Sequence, residues 1–408
     1  MAELKSAEQV VIVGAGMAGA QCALALRQGG WQGGISLLGE ESQPPYDRPP
    51  LSKDVLLGKT DSTAFELDWE QLGIELLPGR RATGLRPGVL ETDGGELAYG
   101  QLVLATGADP VRLPGADGAR VLRTLDGADG ARVLRTLDDA LALRAVLRPG
   151  LRLVLVGAGW IGAETATAAR QLGCEVTVLE AAAEPLAGAL PTTLTAPMER
   201  WYAEAGIDLR LGAKVAAVRP DGVLLADGSV LAADEVVVGI GARPATRWLA
   251  GSGVELDPAG AILTDASLRT CLPRVWAAGD CVSYPSARFG ERINVQHWDH
   301  AMHSGRAVAA ALLGADAAYD PVPYFWSEQF GRMVQYAGRH AAGDRLVWRG
   351  SPEDPAWSVL WLREGALVAA FAVDRPRDVV QARRLIDQAV VLDPERAGDP
   401  AVALKSAL

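Results

Sequence analysis

Two stretches of the chain repeat one order of apolar, small and polar positions. Residues 10–13 (VVIV) form an unbroken apolar run that closes on Gly14-Ala15-Gly16. A small-residue segment (MAGAQCALALRQGG) follows, and then a second apolar run (ISLL) ending in Gly39-Glu40-Glu41. Residues 151–180 repeat the order as LRLVLV, GAGWIG, AETATAARQLG and CEVTVLE. An apolar run without alternation is what a strand buried on both faces presents, and a helix of small residues can lie close on such a sheet. Each stretch predicts a βαβ unit in a parallel sheet. Three further apolar runs end at glycine, as strands do where they approach a ligand. They are residues 101–105 before Thr106-Gly107, 235–239 before Ile240-Gly241 and 274–278 before Gly279-Asp280. A helix with an alanine-rich face is predicted over about 299–313. After Pro321 the texture turns aromatic and alternating, as in YFW and WSVLWL. The predicted fold class is α/β, with two Rossmann-like dinucleotide-binding domains and a C-terminal α+β domain. The first domain is discontinuous, over 1–117 and 247–322; the second spans 118–246 and the third 323–408.

Residues 115–126 (GADGARVLRTLD) recur without change as residues 127–138. A solenoid needs about three units, so this is not one. The repeat reads as a recent duplication, or an error of gene assembly, at a crossover that tolerates insertion. One copy is expected to fill the path of the chain and the other to bulge into solvent.

The glycines carry the first chemistry. In Gly14-x-Gly16-x-x-Gly19, Gly14 permits a tight turn, Gly16 lets backbone approach a pyrophosphate, and Gly19 lets the helix lie on the sheet. The helix N-terminus then meets the phosphates with free N–H groups and the positive end of its dipole. Glu40, 21 residues beyond Gly19, stands at the end of the next strand and can accept from ribose hydroxyls; Glu41 is the alternative. Gly157-x-Gly159-x-x-Gly162 repeats the device, with Glu180 as its strand-end acid. A carboxylate there bonds a free 2′-hydroxyl and repels a 2′-phosphate, and no arginine stands in the following AAAEPLAGAL, so NADH is favoured over NADPH. Two pockets in one chain imply two different dinucleotides.

The bulk numbers narrow the classes. The 408 residues carry a net charge of −11, a poor basis for general binding to nucleic acid or an anionic membrane. No apolar run approaches the ~20 residues that cross a bilayer, and the polar N-terminus has no signal-peptide core. A cytoplasmic protein is expected. Cys22, Cys174, Cys271 and Cys281 show no C-x-x-C spacing and read as small buried residues. His297, His300 and His303 wind round a helix instead of holding one face, and no metal is expected of them.

Residues 44–53, PPYDRPPLSK, closely resemble the signature of the NADH:ferredoxin reductases that serve bacterial oxygenases. PYDRPPLSK, LATGA, LRTLDDA, VGAGWIGAE, VVGIGARP, AAGD and FWSEQ occur in that family's order, so the resemblance covers nearly the whole chain. It implies the pyridine nucleotide-disulfide oxidoreductase architecture, with FAD in the first pocket and NADH in the second. By that resemblance Arg48 lies along the FAD pyrophosphate and adenosine, and Lys53 near the flavin N5 edge, where a cation stabilises reduced flavin. Glu164 is the family's partner for Lys53 beside the nicotinamide. Asp280 matches the aspartate on the FAD ribitol, Thr106 and Gly107 a second flavin contact, and Trp298 and Trp326 aromatics that shield the isoalloxazine. Ala82 and Ala105 complete the FAD set; Ile161 and Gly241 complete the NADH set. The chain departs from the family at Gln296, where several relatives carry Glu, and at Glu184 and Gly188, where they carry arginines. Arg112 is displaced by one position from the usual arginine, and His300 stands where relatives usually have Asn.

Hydride would pass from NADH to flavin. Disulfide reductases of this architecture carry a Cys pair after the first motif, and peroxidases one Cys near positions 42–46; SQPPY here holds none. Without a thiol relay the electrons leave for an outside acceptor. The resemblance implies a [2Fe–2S] ferredoxin that feeds a cytochrome P450 or a ring-hydroxylating dioxygenase. An acidic ferredoxin needs a local basic patch on an acidic reductase. Arg375, Arg377, Arg383 and Arg384 are the candidates, with Arg288 and Arg292 in reserve. A monomer or weak homodimer is expected. The alternatives are a rubredoxin or monodehydroascorbate reductase, a peroxide-forming NADH oxidase, and an NADH-sensing, nucleic-acid-binding protein like apoptosis-inducing factor.

Overall fold

The computed structural model describes residues 9–113, 131–219 and 221–408. The first copy of the tandem repeat and residues 127–130 lie outside the described residues, and with them the expectation that one copy bulges. The described end of the second copy is built into the fold. Arg132 donates to Glu235 at 2.8 Å and bridges Val237 in parallel. Thr136 caps the helix Leu137–Val146 in a reciprocal box with Asp139.

The chain forms two compact units: Met1–Asp47, Thr63–Asp109 and Arg243–Phe325 make the first; Arg48–Ser62, Pro110–Ala242 and Trp326–Leu408 make the second. In the first, five parallel strands run in the order Val275–Ala277, Gln101–Leu104, Val10–Val13, Ile35–Leu38, Ile74–Leu77. Every residue of Val10–Val13 and Ile35–Leu38 is buried, as their unbroken apolar runs require. The one polar member, Ser36, donates to Glu75 at 2.5 Å and accepts from Gln9 at 2.8 Å, so its hydroxyl is satisfied. The helix Met17–Gln28 packs against the helix Trp298–Leu312 through small residues; a Cβ on Gly305 would overlap the Ala18 carbonyl oxygen. The helix predicted over about 299–313 is thus present, one residue earlier, with His297 as its N-cap.

The second unit repeats the parallel core with four strands, Asp208–Arg210, Glu175–Leu179, Arg152–Val156 and Glu235–Val238. Its C-terminal part is an antiparallel sheet in which Arg332–Gly338, Ala366–Val373, Trp357–Arg363 and Arg345–Arg349 lie side by side, with the helix Pro376–Asp387 packed on Ala366–Val373. Leu194, Met198 and Trp201 of the helix Thr192–Glu204 join Trp357, Trp361 and Phe371 of the sheet in one core. That burial ties the C-terminal sheet to the parallel core within the unit. The buried Arg349 closes the end of the chain: it meets Asp378 at 3.2 Å and donates to the carbonyls of Ala397, Asp399 and Val402.

One sequence expectation is corrected here. Cys22, Cys174 and Cys281 are buried, but Cys271 is exposed. It sits in the bend ahead of the strand Val275–Ala277, where the chain has left the sheet and no core covers it.

The two glycine turns are built alike. Gly14 (φ +111°) and Gly157 (φ +106°) hold a backbone that side chains avoid. A Cβ on Gly14 would overlap the Ala105 carbonyl oxygen, and one on Gly157 the Gly239 carbonyl oxygen. Cβ atoms on Gly19 and Gly162 would overlap the carbonyl oxygens of Gly14 and Gly157. At Gly16 and Gly159, the N-cap residues, a Cβ meets nothing within 4 Å. These contrasts separate folding from binding. G14A and G157A are expected to lose ~3 kcal/mol or more in urea unfolding, or to fail to fold; G16A and G159A should stay within about 1 kcal/mol of the parent. Equal losses at all four positions would contradict the geometry.

Candidate functional site

In the first unit the strand–turn–helix leaves open space at Gly16, at the N-terminus of the helix Met17–Gln28. The first turn of that helix carries no acidic residue, and its N-cap has no side chain to occupy the N–H groups. They are therefore left for an anion. Gly39 brings the next strand end against the turn: a Cβ on it would stand 2.8 Å from the Ala15 Cβ. Glu40 follows and is exposed, whereas Glu41 accepts from Tyr46 at 2.6 Å. Only Glu40 of the two thus keeps its carboxylate clear of Tyr46. Ala105 is buried, its N–H on the Val13 carbonyl at 2.7 Å, and Ala82 opens the strand Ala82–Arg86. Thr106 donates to the Ala245 carbonyl at 2.8 Å, and the Gly107 carbonyl accepts from the Ala245 N–H at 3.0 Å.

Gly279 and Asp280 follow the strand Val275–Ala277 in the same unit, with Asp280 half-buried. Asn294 donates to the carbonyls of both Asp280 and Val282, at 2.8 and 2.7 Å, which fixes the backbone of the turn. Trp298 donates its indole N–H to Asp47 at 2.6 Å, and the His297 ring stacks on Phe325 at 4.4 Å. Gln296 donates to Asn294 at 2.9 Å. The three clustered histidines have separate partners: Phe325 for His297, Gly279 and Tyr319 for His300, Asp299 for His303.

The second unit holds the second cradle. Gly159 is open, and Ile161 beyond it is exposed. Glu180 accepts from the Ala158 N–H through one carboxylate oxygen and from the Ala182 N–H through the other, both at 2.9 Å. Two backbone donors fix the acid at the mouth of the glycine turn, where ribose hydroxyls would reach it. Gly241 (φ +113°) lies exposed beyond the strand Glu235–Val238, and its carbonyl accepts from Val111. Glu184 accepts from Thr192 and Thr195, at 3.1 and 2.8 Å, and gives this region an acid held at a helix start.

Lys53 and Glu164, 111 residues apart, meet at 2.7 Å in this unit. Lys53 caps the short helix Pro49–Ser52 and also donates to the Pro49 carbonyl. Glu164 is 4% exposed, and both its oxygens are occupied. One accepts from Lys53 and from Ser52 (2.5 Å); the other accepts from Ser327 (2.8 Å) and the Glu328 N–H (3.3 Å). A buried carboxylate needs this saturation, because each unmade bond would leave a desolvated lone pair. Ser52, Ser327 and the Glu328 amide are the functional neighbours that sequence reasoning missed. The signal was present, since PLSK and FWSEQ each carry the serine beside a residue already singled out. Trp326, half-buried, precedes Ser327 in the same strand. Arg48 donates to the Arg135 carbonyl at 2.7 Å.

Of the four arginines proposed to form a basic patch, Arg375 is committed within the fold: it pairs with Asp378 at 3.0 Å and donates to the Pro400 carbonyl. Arg377 and Arg384 are exposed, seven residues apart on the helix Pro376–Asp387, and Arg383 is half-buried. The reserve candidates are also tied down in the first unit. Arg292 donates to the carbonyls of Thr264 and Ser283, and Arg288 to that of Asp320.

Both cradles fit a dinucleotide pyrophosphate on the same observation: the two N-cap glycines face open space where any side chain would intrude. Among the described residues no group of three or more His, Cys, Asp or Glu could hold a metal ion, and no helix is long and apolar enough to cross a membrane. Comparison with known proteins agrees with the build. Residues 8–305 match the family model described as pyridine nucleotide-disulphide oxidoreductase, and residues 324–408 the model described as reductase C-terminal. The chain is 37% identical to the 5,5′-dehydrodivanillate O-demethylase ferredoxin reductase subunit of Sphingobium sp., over 97% of each protein. It is 37% identical to the ferredoxin–NAD(+) reductase component of the anthranilate 1,2-dioxygenase system of Burkholderia cepacia, over 99% of this chain and all of that one. The reductase in the crystal structure of the covalent putidaredoxin reductase–putidaredoxin complex superposes with a TM-score of 0.91 at 33% identity, over 98% of this chain and 97% of that one. The chain therefore belongs to the pyridine nucleotide-disulphide oxidoreductase family and is a flavin- and NADH-dependent oxidoreductase of its ferredoxin reductase branch.

Proposed function

We propose that this protein is an FAD-dependent NADH:ferredoxin reductase of the cytoplasm. It would take hydride from NADH and deliver single electrons to a [2Fe–2S] ferredoxin that supplies a cytochrome P450 or a ring-hydroxylating dioxygenase. The observation that carries the reading is the pair of like-built glycine cradles in a chain whose four cysteines are all unpaired. Burial pushes the thiols of Cys22 and Cys281 up to about 12 and about 11, so neither supplies a thiolate. The near relatives named above, ferredoxin reductases of oxygenase systems, point to the same acceptor.

Bound FAD supplies the chemistry, accepting two electrons as hydride and releasing them one at a time. The chain's residues bind and orient. Gly14, Gly16 and Gly19 shape the FAD cradle, Glu40 takes the adenosine ribose, and Arg48 serves the FAD pyrophosphate. Ala82, Ala105, Thr106, Gly107 and Asp280 hold the remainder of FAD, while Trp298 and Trp326 exclude water from the ring. Gly157, Gly159, Ile161, Gly162 and Gly241 form the NADH cradle. Glu180, fixed by two backbone N–H groups, favours a free ribose hydroxyl over a phosphate. Lys53 offers a cation against the negative charge of the reduced ring, and Glu164 orients it from a position saturated by Ser52, Ser327 and the Glu328 amide. Arg377 and Arg384, with Arg383 beside them, are the docking cations. Arg375, the N-cap residue of their helix, is held by Asp378.

E164Q keeps the shape and removes the charge that orients Lys53. Stopped-flow NADH reduction of the flavin should slow by roughly ten- to a hundredfold, with NADH binding changed far less. An unchanged rate would remove Glu164 from the site. R377E/R384E should raise the KM for ferredoxin by about tenfold or more at low salt, with less effect at high salt, and leave ferricyanide reduction intact. Unchanged KM would refute this docking face. NADH–cytochrome c reduction should depend strictly on an added ferredoxin. Rapid oxygen uptake with no carrier would instead favour an NADH oxidase.

A further inference from the structure

The turn that carries Asp280 is held from behind by a buried polar chain that no part of the reaction has yet used. Gly279 (φ +79°) packs against the start of the first glycine helix: a Cβ on it would stand 2.9 Å from the Ala18 Cβ. Its N–H donates to the Ser304 hydroxyl at 2.9 Å, and its carbonyl oxygen lies 3.2 Å from His300 Nε2. Both polar groups of this residue are therefore taken by one helix, Trp298–Leu312. The carbonyl of Asp280 is taken by Asn294. With the backbone held at three points, the direction in which Asp280 leaves the turn is set by its neighbours.

His300 completes the arrangement through its other nitrogen. Nδ1 lies 2.9 Å from the Tyr319 hydroxyl, and Tyr284 stacks on the imidazole at 5.4 Å and 8°. All three rings are buried, with exposures of 3%, 7% and 0%. A carbonyl oxygen can only accept, so Nε2 must carry the hydrogen, and Nδ1 must accept from Tyr319. The geometry selects one neutral tautomer. Burial supports it by pushing the His300 pKa down to about 4. His297 and His303 push the same way, and the Gly279 bond and the Asp299 charge oppose.

We propose that His300 is a positioning residue for the flavin-bearing nucleotide: with its tautomer fixed by Tyr319, it holds the Gly279 peptide and so sets where the Asp280 carboxylate stands. This rests on the assignment of Asp280 to the FAD site, and D280A tests that assignment separately. The Tyr319–His300–Gly279 chain spans 40 residues of sequence and ends one residue short of the proposed contact. Ser304 holds the other side of the same residue. The device thus belongs to the helix packed on the first glycine helix.

The test uses the full chain stripped of FAD and titrated with FAD by flavin fluorescence, with 15N NMR of the four histidines as a second reading. H300L, which keeps bulk and loses the donor, should weaken FAD binding about five- to tenfold and shift the bound flavin's visible bands. H300Q, which restores a donor near the Nε2 position, should return affinity to within about twofold. In the parent, the His300 signal, assigned by its loss in H300Q, should report the Nε2–H tautomer; Y319F should mix the tautomers and weaken FAD binding by a smaller factor. If D280A loosens FAD while H300L and Y319F bind it as the parent does, the positioning role is wrong and the site assignment stands. If D280A itself binds FAD normally, the assignment falls, and the proposal with it. Should H300L fail to fold, an Nδ1–H tautomer in the parent, or a Y319F protein with parental tautomer and affinity, overturns the proposal.

Discussion

Both nucleotide cradles follow from four places where backbone touches backbone because no Cβ intervenes. At Gly14 and Gly157 the strand end turns under the carbonyl of a neighbouring strand; at Gly19 and Gly162 the following helix rests on the turn itself. The consequence is electrostatic as well as steric. A helix pressed this close to the strand end points its unsatisfied N–H groups and dipole across the opening at Gly16 or Gly159. The strand-end acids then fall into place by geometry. Gly39 rests on Ala15 ahead of Glu40, and the Ala158 amide, inside the turn, reaches the Glu180 carboxylate. A methyl group at either close approach would move helix, turn and acid together.

The second requirement is a buried charge that cannot wander. Glu164 is more deeply buried than a carboxylate tolerates alone, and a single ion pair would not offset its desolvation. The structure surrounds it with a lysine, two hydroxyls and an amide drawn from two segments far from it in sequence. Such a network is rigid because removing one donor leaves a desolvated lone pair. It also explains why the Arg48–Ser62 segment and the C-terminal chain share a compact unit with the 110–242 segment. Ser52, Lys53 and Ser327 join them here, beside the bonds of Arg48 to Arg135 and of Arg144 to Val55 and the apolar core under the C-terminal sheet.

What was legible in the sequence is what is local. The glycine turns, the apolar strands on either side, the strand-end acids and the long helix near residue 300 each announce themselves within about thirty residues, the length of a βαβ unit. The pairing of Lys53 with Glu164 across 111 residues is legible only through family resemblance, and its serine partners are not legible in the pattern, because serine beside a functional residue carries no periodic signal. The arginines show the opposite failure. Arg375 looked like a surface cation beside Arg377, but Asp378 sits three residues on, and the chain end returns to place the Pro400 carbonyl against it. An unpaired cysteine is by default a core residue; the exposure of Cys271 depends on where the chain leaves the sheet, which composition does not encode.

The absence of a thiol relay and the acidity of the chain have to be reconciled, because electrons that leave without a disulfide must leave by contact with a carrier. A net charge of −11 repels an acidic carrier at long range, yet salt shortens that field to roughly 8 Å under physiological conditions. Inside that distance local charge decides. Arg377 and Arg384 lie seven residues apart on one helix, with the exposed Val380 between them. As the proposed docking face, two cations around an apolar residue would offer a small, oriented contact without the large dry interface of a permanent complex. A reductase that must release its partner after each electron needs that balance. On the proposed docking face, repulsion from the whole surface with attraction at one place would keep residence short while still selecting the orientation.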